Sequence, residues 1–116
     1  MKDWEKLEAW ICEQLKELDP SIRRTPGSGN GNISGDVCGL KNIGLHCEAK
    51  CYKKKNVWNI DWLIKCEEEI PLHSKKRAIV VTENKDGKKV VSLDAEDFFD
   101  MYKDAYYYRN PSANGL

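Results

Sequence analysis

Apolar residues recur along this chain with two different periods, and the changes of period mark its elements. Over residues 2–18, Trp4, Leu7, Ile11, Leu15 and Leu18 return at helical spacing, and Asp19-Pro20 ends the run. Segment 43–52, Ile-Gly-Leu-His-Cys-Glu-Ala-Lys-Cys-Tyr, alternates instead and predicts a strand. Its period of two puts Leu45, Cys47, Ala49 and Cys51 on one side and His46, Glu48 and Lys50 on the other. Asn56 or Asn59 can cap a helix that carries Trp58, Ile60, Trp62, Leu63 and Ile64, runs to Glu69 and stops before Pro71. Ala78–Thr82 is an unbroken apolar, β-branched run, the pattern of a central strand. Asn84-Lys85-Asp86-Gly87 predicts a hairpin turn, with Lys89–Leu93 returning as a strand.

Ser92 or Asp94 then opens a last helix with Phe98, Met101, Tyr102 and Ala105 on one face. Between the first helix and the alternating strand, Ser21–Thr25 reads as extended, Asp36–Leu40 as a strand and Lys41–Gly44 as a turn. The order is helix, three short strands, helix, two strands, helix. That predicts an α/β domain over residues 1–109, with a central mixed β-sheet flanked by helices and a frayed tail over 110–116.

At 116 residues, 41% hydrophobic and 33% charged, the chain suits one soluble globular domain and excludes a disordered one. No apolar run reaches membrane-spanning length, and Met1-Lys2-Asp3-Trp4-Glu5 lacks the apolar stretch of a signal peptide, so a cytoplasmic protein is expected. Five cysteines, an odd number, then read as reduced thiols. Cys38, Cys47, Cys51, Cys66 and His73 suggest zinc in outline, but Cys47 and Cys51 would lie about 13 Å apart along one strand. We read them as core thiols, and His46 as a histidine on a surface strand.

Net charge is zero, yet charge is unevenly distributed. Residues 23–55 hold seven basic side chains (Arg23, Arg24, Lys41, Lys50, Lys53, Lys54, Lys55) and two acids, Asp36 and Glu48. A basic field around two carboxylates suits a phosphate-cleaving site. The carboxylates can hold a hard divalent cation, and Lys50 beside them can act on water or phosphate. Glu8 sits about 60° from the centre of the first helix's apolar stripe, at the edge of the buried face. The glycine-rich stretch 26–35 lacks a Gly-Lys-Ser/Thr ending, so it is not a nucleotide-phosphate loop.

Glu8 on the first helix, Arg24-Thr25, the glycine-rich loop, Asp36 and Glu48-Ala49-Lys50 together resemble the PD-(D/E)xK nuclease superfamily, and within it the Holliday-junction-resolvase branch. The resemblance spans residues 4–82; Gly35 stands where the family name places a proline. It implies a restriction-endonuclease-like three-layer α/β/α fold. It implies Mg²⁺, with Mn²⁺ as a substitute, held by Asp36, Glu48, the Ala49 carbonyl and Glu8. Lys50 would orient or activate water, and Arg24, Thr25 and Ser28 would contact the DNA backbone. Arg23 and Lys53, Lys54 and Lys55 extend that basic surface. The implied function is an endodeoxyribonuclease for branched DNA working as a homodimer, because symmetric cutting of two strands needs two sites. Another nuclease of the same superfamily, or a relative that binds without cutting, are the competing readings.

Overall fold

The structure is a computed structural model and describes residues 1–26 and 36–114. The segment 27–35, including Ser28, lies outside the described residues. Among the described residues, five strands form one mixed sheet in the order β1-β2-β3-β4-β5. They are β1 (Arg23–Arg24), β2 (Val37–Cys38), β3 (Leu45–Cys51), β4 (Arg77–Glu83) and β5 (Lys89–Ser92). Only β3 and β4 run parallel, pairing from Leu45↔Arg77 to Cys51↔Glu83; the other neighbours are antiparallel. The three helices are α1 (Asp3–Leu15), α2 (Ile60–Glu68) and α3 (Ala95–Arg109). The crossover from β3 to β4 passes through α2, as a parallel pair requires.

The central strand divides the core. Ile79 and Val81 pack with Leu7, Ile11 and Cys12 of α1, while Ala78 and Val80 pack with Leu63 and Cys66 of α2. Successive β4 side chains thus feed opposite layers, and the unbroken apolar run is explained by burial on both faces. The α1 layer also takes Cys47, with Leu45, Ala49 and Cys51 packed against it, as the alternation of β3 predicts. The result is an α/β fold in which α1, the sheet and α2 form three layers.

Local signals set the ends of these elements. The Asn59 side chain accepts from the Asp61 N–H and starts α2, so Asn59 is the cap and Trp58 lies before the helix. Asp94 accepts from the N–H groups of Glu96 and Asp97 and starts α3. Asp86 and Gly87, both at positive φ, turn β4 into β5. Pro111–Asn114 adds a 3-10 turn where the sequence suggests a frayed tail.

Three expectations are corrected. On α1 the buried set is Leu7, Glu8, Ile11 and Cys12, so the stripe is rotated away from Trp4 (40% exposed) and Leu18 (66%). The helix ends at Leu15, which releases Leu18 from its periodicity. The face of α3 does not enter the core: none of its fifteen residues is buried, and Phe98, Met101, Tyr102 and Tyr106 are all exposed. Both faces of the sheet are already covered by α1 and α2. The histidine read as lying on a surface strand, His46, is buried under α2.

Gly39 joins β2 to the 3-10 turn Leu40–Ile43 at φ +82°, where an added Cβ would lie 2.8 Å from the Ser21 carbonyl oxygen. Gly44 closes the same turn at φ +72° with open space around it. Gly44→Ala should therefore cost about 1 kcal/mol, the left-handed penalty alone, and Gly39→Ala clearly more, about 2 kcal/mol or above. Urea unfolding of the two variants checks the order.

Candidate active site

The site begins where the chain enters β2. The Asp36 N–H donates to the Cys47 carbonyl at 3.0 Å, and the Thr25 N–H donates to the Asp36 carbonyl at 3.0 Å. One carboxylate oxygen of Asp36 accepts from the Ala49 N–H at 2.7 Å. Asp36 is thereby fixed to β3 by both its backbone and its side chain. A charged acceptor on a backbone donor is a strong hydrogen bond, and it sets where the carboxylate sits.

Glu48 lies beside it. Partial burial pushes the Glu48 carboxyl up to about 7; the Asp36 charge against it adds to the shift, Lys50 opposes it, and Glu69 adds a smaller push. Two carboxylates near one another cannot both ionise cheaply. The Lys50 Nζ stands 4.0 Å from Glu48 Oε1 and 5.7 Å from the centre of the Trp62 ring. That ring stacks on Tyr52 at 5.5 Å, with the planes 10° apart. Lys50 is therefore held between an anion and an aromatic face. The register pairs Lys50 with Thr82, whose buried hydroxyl has no hydrogen-bond partner among the described residues.

Asp36, Glu48 and Lys50 thus come together as the sequence suggests. Ala49 takes part through its N–H. Glu8 is 2% exposed, and its Oε1 receives the Arg24 Nε at 3.0 Å, while Arg24 Nη2 reaches Glu5 at 3.1 Å. Arg24 so binds two of the acids of α1, and its guanidinium lies 5.9 Å from the Trp4 ring. Among the residues expected to meet DNA, Arg23, Lys54 and Lys55 are exposed. Lys53 pairs with Glu83, which Lys89 also approaches. Thr25 is buried at 4% exposure, so its side chain is not on the surface in this conformation.

A second group of chemistry-bearing side chains lies further along the same face of β3. His46 Nε2 is 3.3 Å from Glu69 Oε1, and Cys66 Sγ is 3.4 Å from the His46 carbonyl oxygen. Burial, and then the charges of Glu48 and Glu69, push the Cys66 thiol up to about 12. Sequence reasoning missed this group. Its signal was Cys66 and Glu69 one turn apart on the predicted second helix, facing the side of β3 that carries His46.

Comparison with protein-family models, with curated proteins and with solved structures finds no match for this chain. The chemistry of the site therefore rests on its own geometry. Paired carboxylates with a lysine beside them can hold a hard divalent cation and act on a phosphate or a water.

The folded-state carboxyl of Glu48 is raised from 4.5 to about 7, so the native state holds that proton more tightly than the unfolded chain. Its ionisation costs nothing extra below pH 4.5, costs increasingly between pH 4.5 and 7, and costs in full above pH 7. In metal-free buffer, Glu48→Gln should therefore stabilise the protein at pH 8, by on the order of 2 kcal/mol, with the gain vanishing near pH 4. Thermal unfolding across that range checks the sign; a loss of stability at pH 8 would contradict it.

Proposed function

We propose that this chain is a divalent-metal-dependent endodeoxyribonuclease of the PD-(D/E)xK type, with a restriction-endonuclease-like arrangement, acting on branched DNA. The observation that carries the reading is the juxtaposition of Asp36 and Glu48, locked by the Ala49 N–H, with Lys50 on the same face of β3. The crowded carboxylates fit a cation: burial and the Asp36 charge oppose ionisation of Glu48, and a divalent ion would offset both. Asp36 and Glu48 would hold Mg²⁺ or Mn²⁺, with the Ala49 carbonyl and Glu8 as further candidates. When bound, the ion offsets charge on the scissile phosphate and acidifies water.

The chain's own residues do the rest. Asp36 stays fixed because β3 holds it at two points. Lys50 presents its amino group, oriented by Trp62, to the attacking water or to a phosphate oxygen. Arg23, Lys54 and Lys55 supply exposed charge for the DNA backbone, which makes binding sequence-independent and salt-sensitive. Arg24 serves first to hold Glu5 and Glu8.

Purified protein with Mg²⁺ is expected to cut a four-way junction in preference to a duplex of equal length. Asp36→Asn should lose calorimetric Mg²⁺ binding. Lys50→Ala should keep the fold and junction affinity but lose cleavage by about a hundredfold or more. Cleavage near the wild-type rate in that variant would exclude the reading, and equal cutting of junction and duplex would favour a different nuclease of the same type.

The reading also calls for two sites on one assembly, and α3 supports a second copy of this chain as the partner. Its exposed residues include Phe98, Phe99, Met101, Tyr102, Tyr106 and Tyr107, and an apolar groove of about 540 Å³ opens at its base beside Ile64 and Val91. These six side chains are about half exposed, so covering all of them would bury roughly 600 Å² per copy, near the roughly 800 Å² of a stable interface. Antiparallel two-fold pairing would set Glu96 and Asp100 of one copy near Lys103 and Arg109 of the other. Light scattering should report a dimer that Phe98→Asp with Tyr102→Asp converts to a folded monomer. A wild-type monomer at all accessible concentrations would remove this part of the proposal.

A further inference from the structure

The face of β3 that bears Glu48 and Lys50 continues into a group with different ligand chemistry. His46, Cys66 and Glu69 offer an imidazole nitrogen, a thiol sulfur and a carboxylate oxygen, all within 4.8 Å of one another. They come from three places: a β3 strand position, the last turn of α2, and the residue that caps α2. His46 and Cys66 are 2% and 0% exposed, and Glu69 lies at the rim. We propose that His46, Cys66 and Glu69 form a second metal site, selective for a borderline-soft divalent ion of the zinc class and distinct from the Asp36–Glu48 pair.

Donor chemistry separates the two sites. Asp36 and Glu48 present oxygen alone, which suits hard cations. A nitrogen, sulfur and oxygen set suits zinc, with bonds of about 2.0 to 2.3 Å and neighbouring ligands about 3.3 to 3.8 Å apart. The His46–Glu69 separation of 3.3 Å already meets that spacing. The sulfur must close by up to about 1 Å, a rotation of the side chain. The local field favours a cation, because Glu48 and Glu69 both bear on Cys66. Three protein ligands leave a fourth tetrahedral position for water. Binding is balanced by one proton: the Cys66 S–H bond breaks, the sulfur lone pair forms the metal bond, and the proton passes to solvent. His46 enters as the neutral ring and Glu69 as the carboxylate.

The ion would tie α2 to β3, because one ligand comes from the strand and two come from the helix and its cap. It would do so two residues from Glu48, about 7 Å along the strand. It would therefore stiffen the wall on which Glu48 and Lys50 stand, without being the ion of the Asp36–Glu48 pair.

The test uses the full chain, reduced with a phosphine and stripped of metal, and titrated with Co²⁺ and then Zn²⁺. One equivalent of Co²⁺ should produce a thiolate-to-cobalt charge-transfer band that Zn²⁺ displaces. The band should vanish in Cys66→Ala and persist in Cys38→Ala and Asp36→Asn. Glu69→Gln, at the rim, should keep the circular dichroism of the fold and weaken Zn²⁺ binding at least tenfold. One proton should be released per Zn²⁺ bound. Absence of the band in the wild-type chain, its survival in Cys66→Ala, or unchanged Zn²⁺ affinity in Glu69→Gln would overturn the proposal. The Asp36→Asn arm keeps this result separate from the nuclease reading, since that variant removes the hard-metal site and leaves this one.

Discussion

Seven residues of β3 pair in parallel with seven of β4, and this pairing fixes nearly everything else. A parallel pair needs a crossover, and the crossover here is α2. Once α2 lies on one face and α1 on the other, every β3 side chain is assigned to a layer by parity alone. Odd positions 45–51 face the apolar α1 layer, and even positions 46, 48 and 50 face α2. A slip of one residue would send Glu48 into the α1 core and Cys47 out of it. The register of one strand pair is thus also the register of the site. Asp36 is referenced to the same strand through Cys47 and Ala49, so three chemical groups share one rigid support.

Much of this frame is readable in the chain because the local signals are physical and short-range. Ala-Ile-Val-Val-Thr at 78–82 has no charged position and four apolar ones because it is covered on both faces, and the structure buries all five. Asn59 and Asp94 cap because their side chains satisfy N–H groups two or three residues on. The alternation of 45–51 gives the two faces of β3. It does not say how far α2 covers one of them, which is why His46 is misjudged from sequence. That coverage depends on the crossing of α2 over the strand, a tertiary quantity with no local signature. The same holds for Glu8: helical periodicity places it near the buried edge, but its depth is set by Arg24, sixteen residues away. Thr25 is the complementary case, where a motif suggests a surface contact and the side chain is 4% exposed.

The charge pattern is also redistributed by folding. Residues 23–55 look like a continuous basic field in the sequence, yet beside Lys50 at Glu48 two more of their cations are already engaged. Arg24 holds Glu5 and Glu8, and Lys53 holds Glu83. Exposed ion pairs contribute little to stability, but Glu8 and Glu83 are nearly buried, and a buried carboxylate left without its cation is costly. These pairs serve the fold before any ligand. The other exposed cations of the segment are Arg23, Lys41, Lys54 and Lys55, of which Lys54 and Lys55 follow the strand that carries Glu48 and Lys50.

The face of β3 under α2 carries a gradient. At its start His46 is buried, in the middle Glu48 is about a quarter exposed, and at its end Lys50 is about a third exposed. Solvent access and ligand softness change together along it. The buried end offers nitrogen and sulfur, which bind a dehydrated ion well, and the wetter middle offers oxygen, which suits a cation that keeps part of its water. Lys50 at the open end is the group best placed to meet an incoming phosphate. Parity puts these residues on one side; how far each is covered grades them. A helix displaced by one turn would expose His46 and dissolve its group with Cys66 and Glu69. The chemistry available to this chain is therefore set by how much of one strand a single short helix covers.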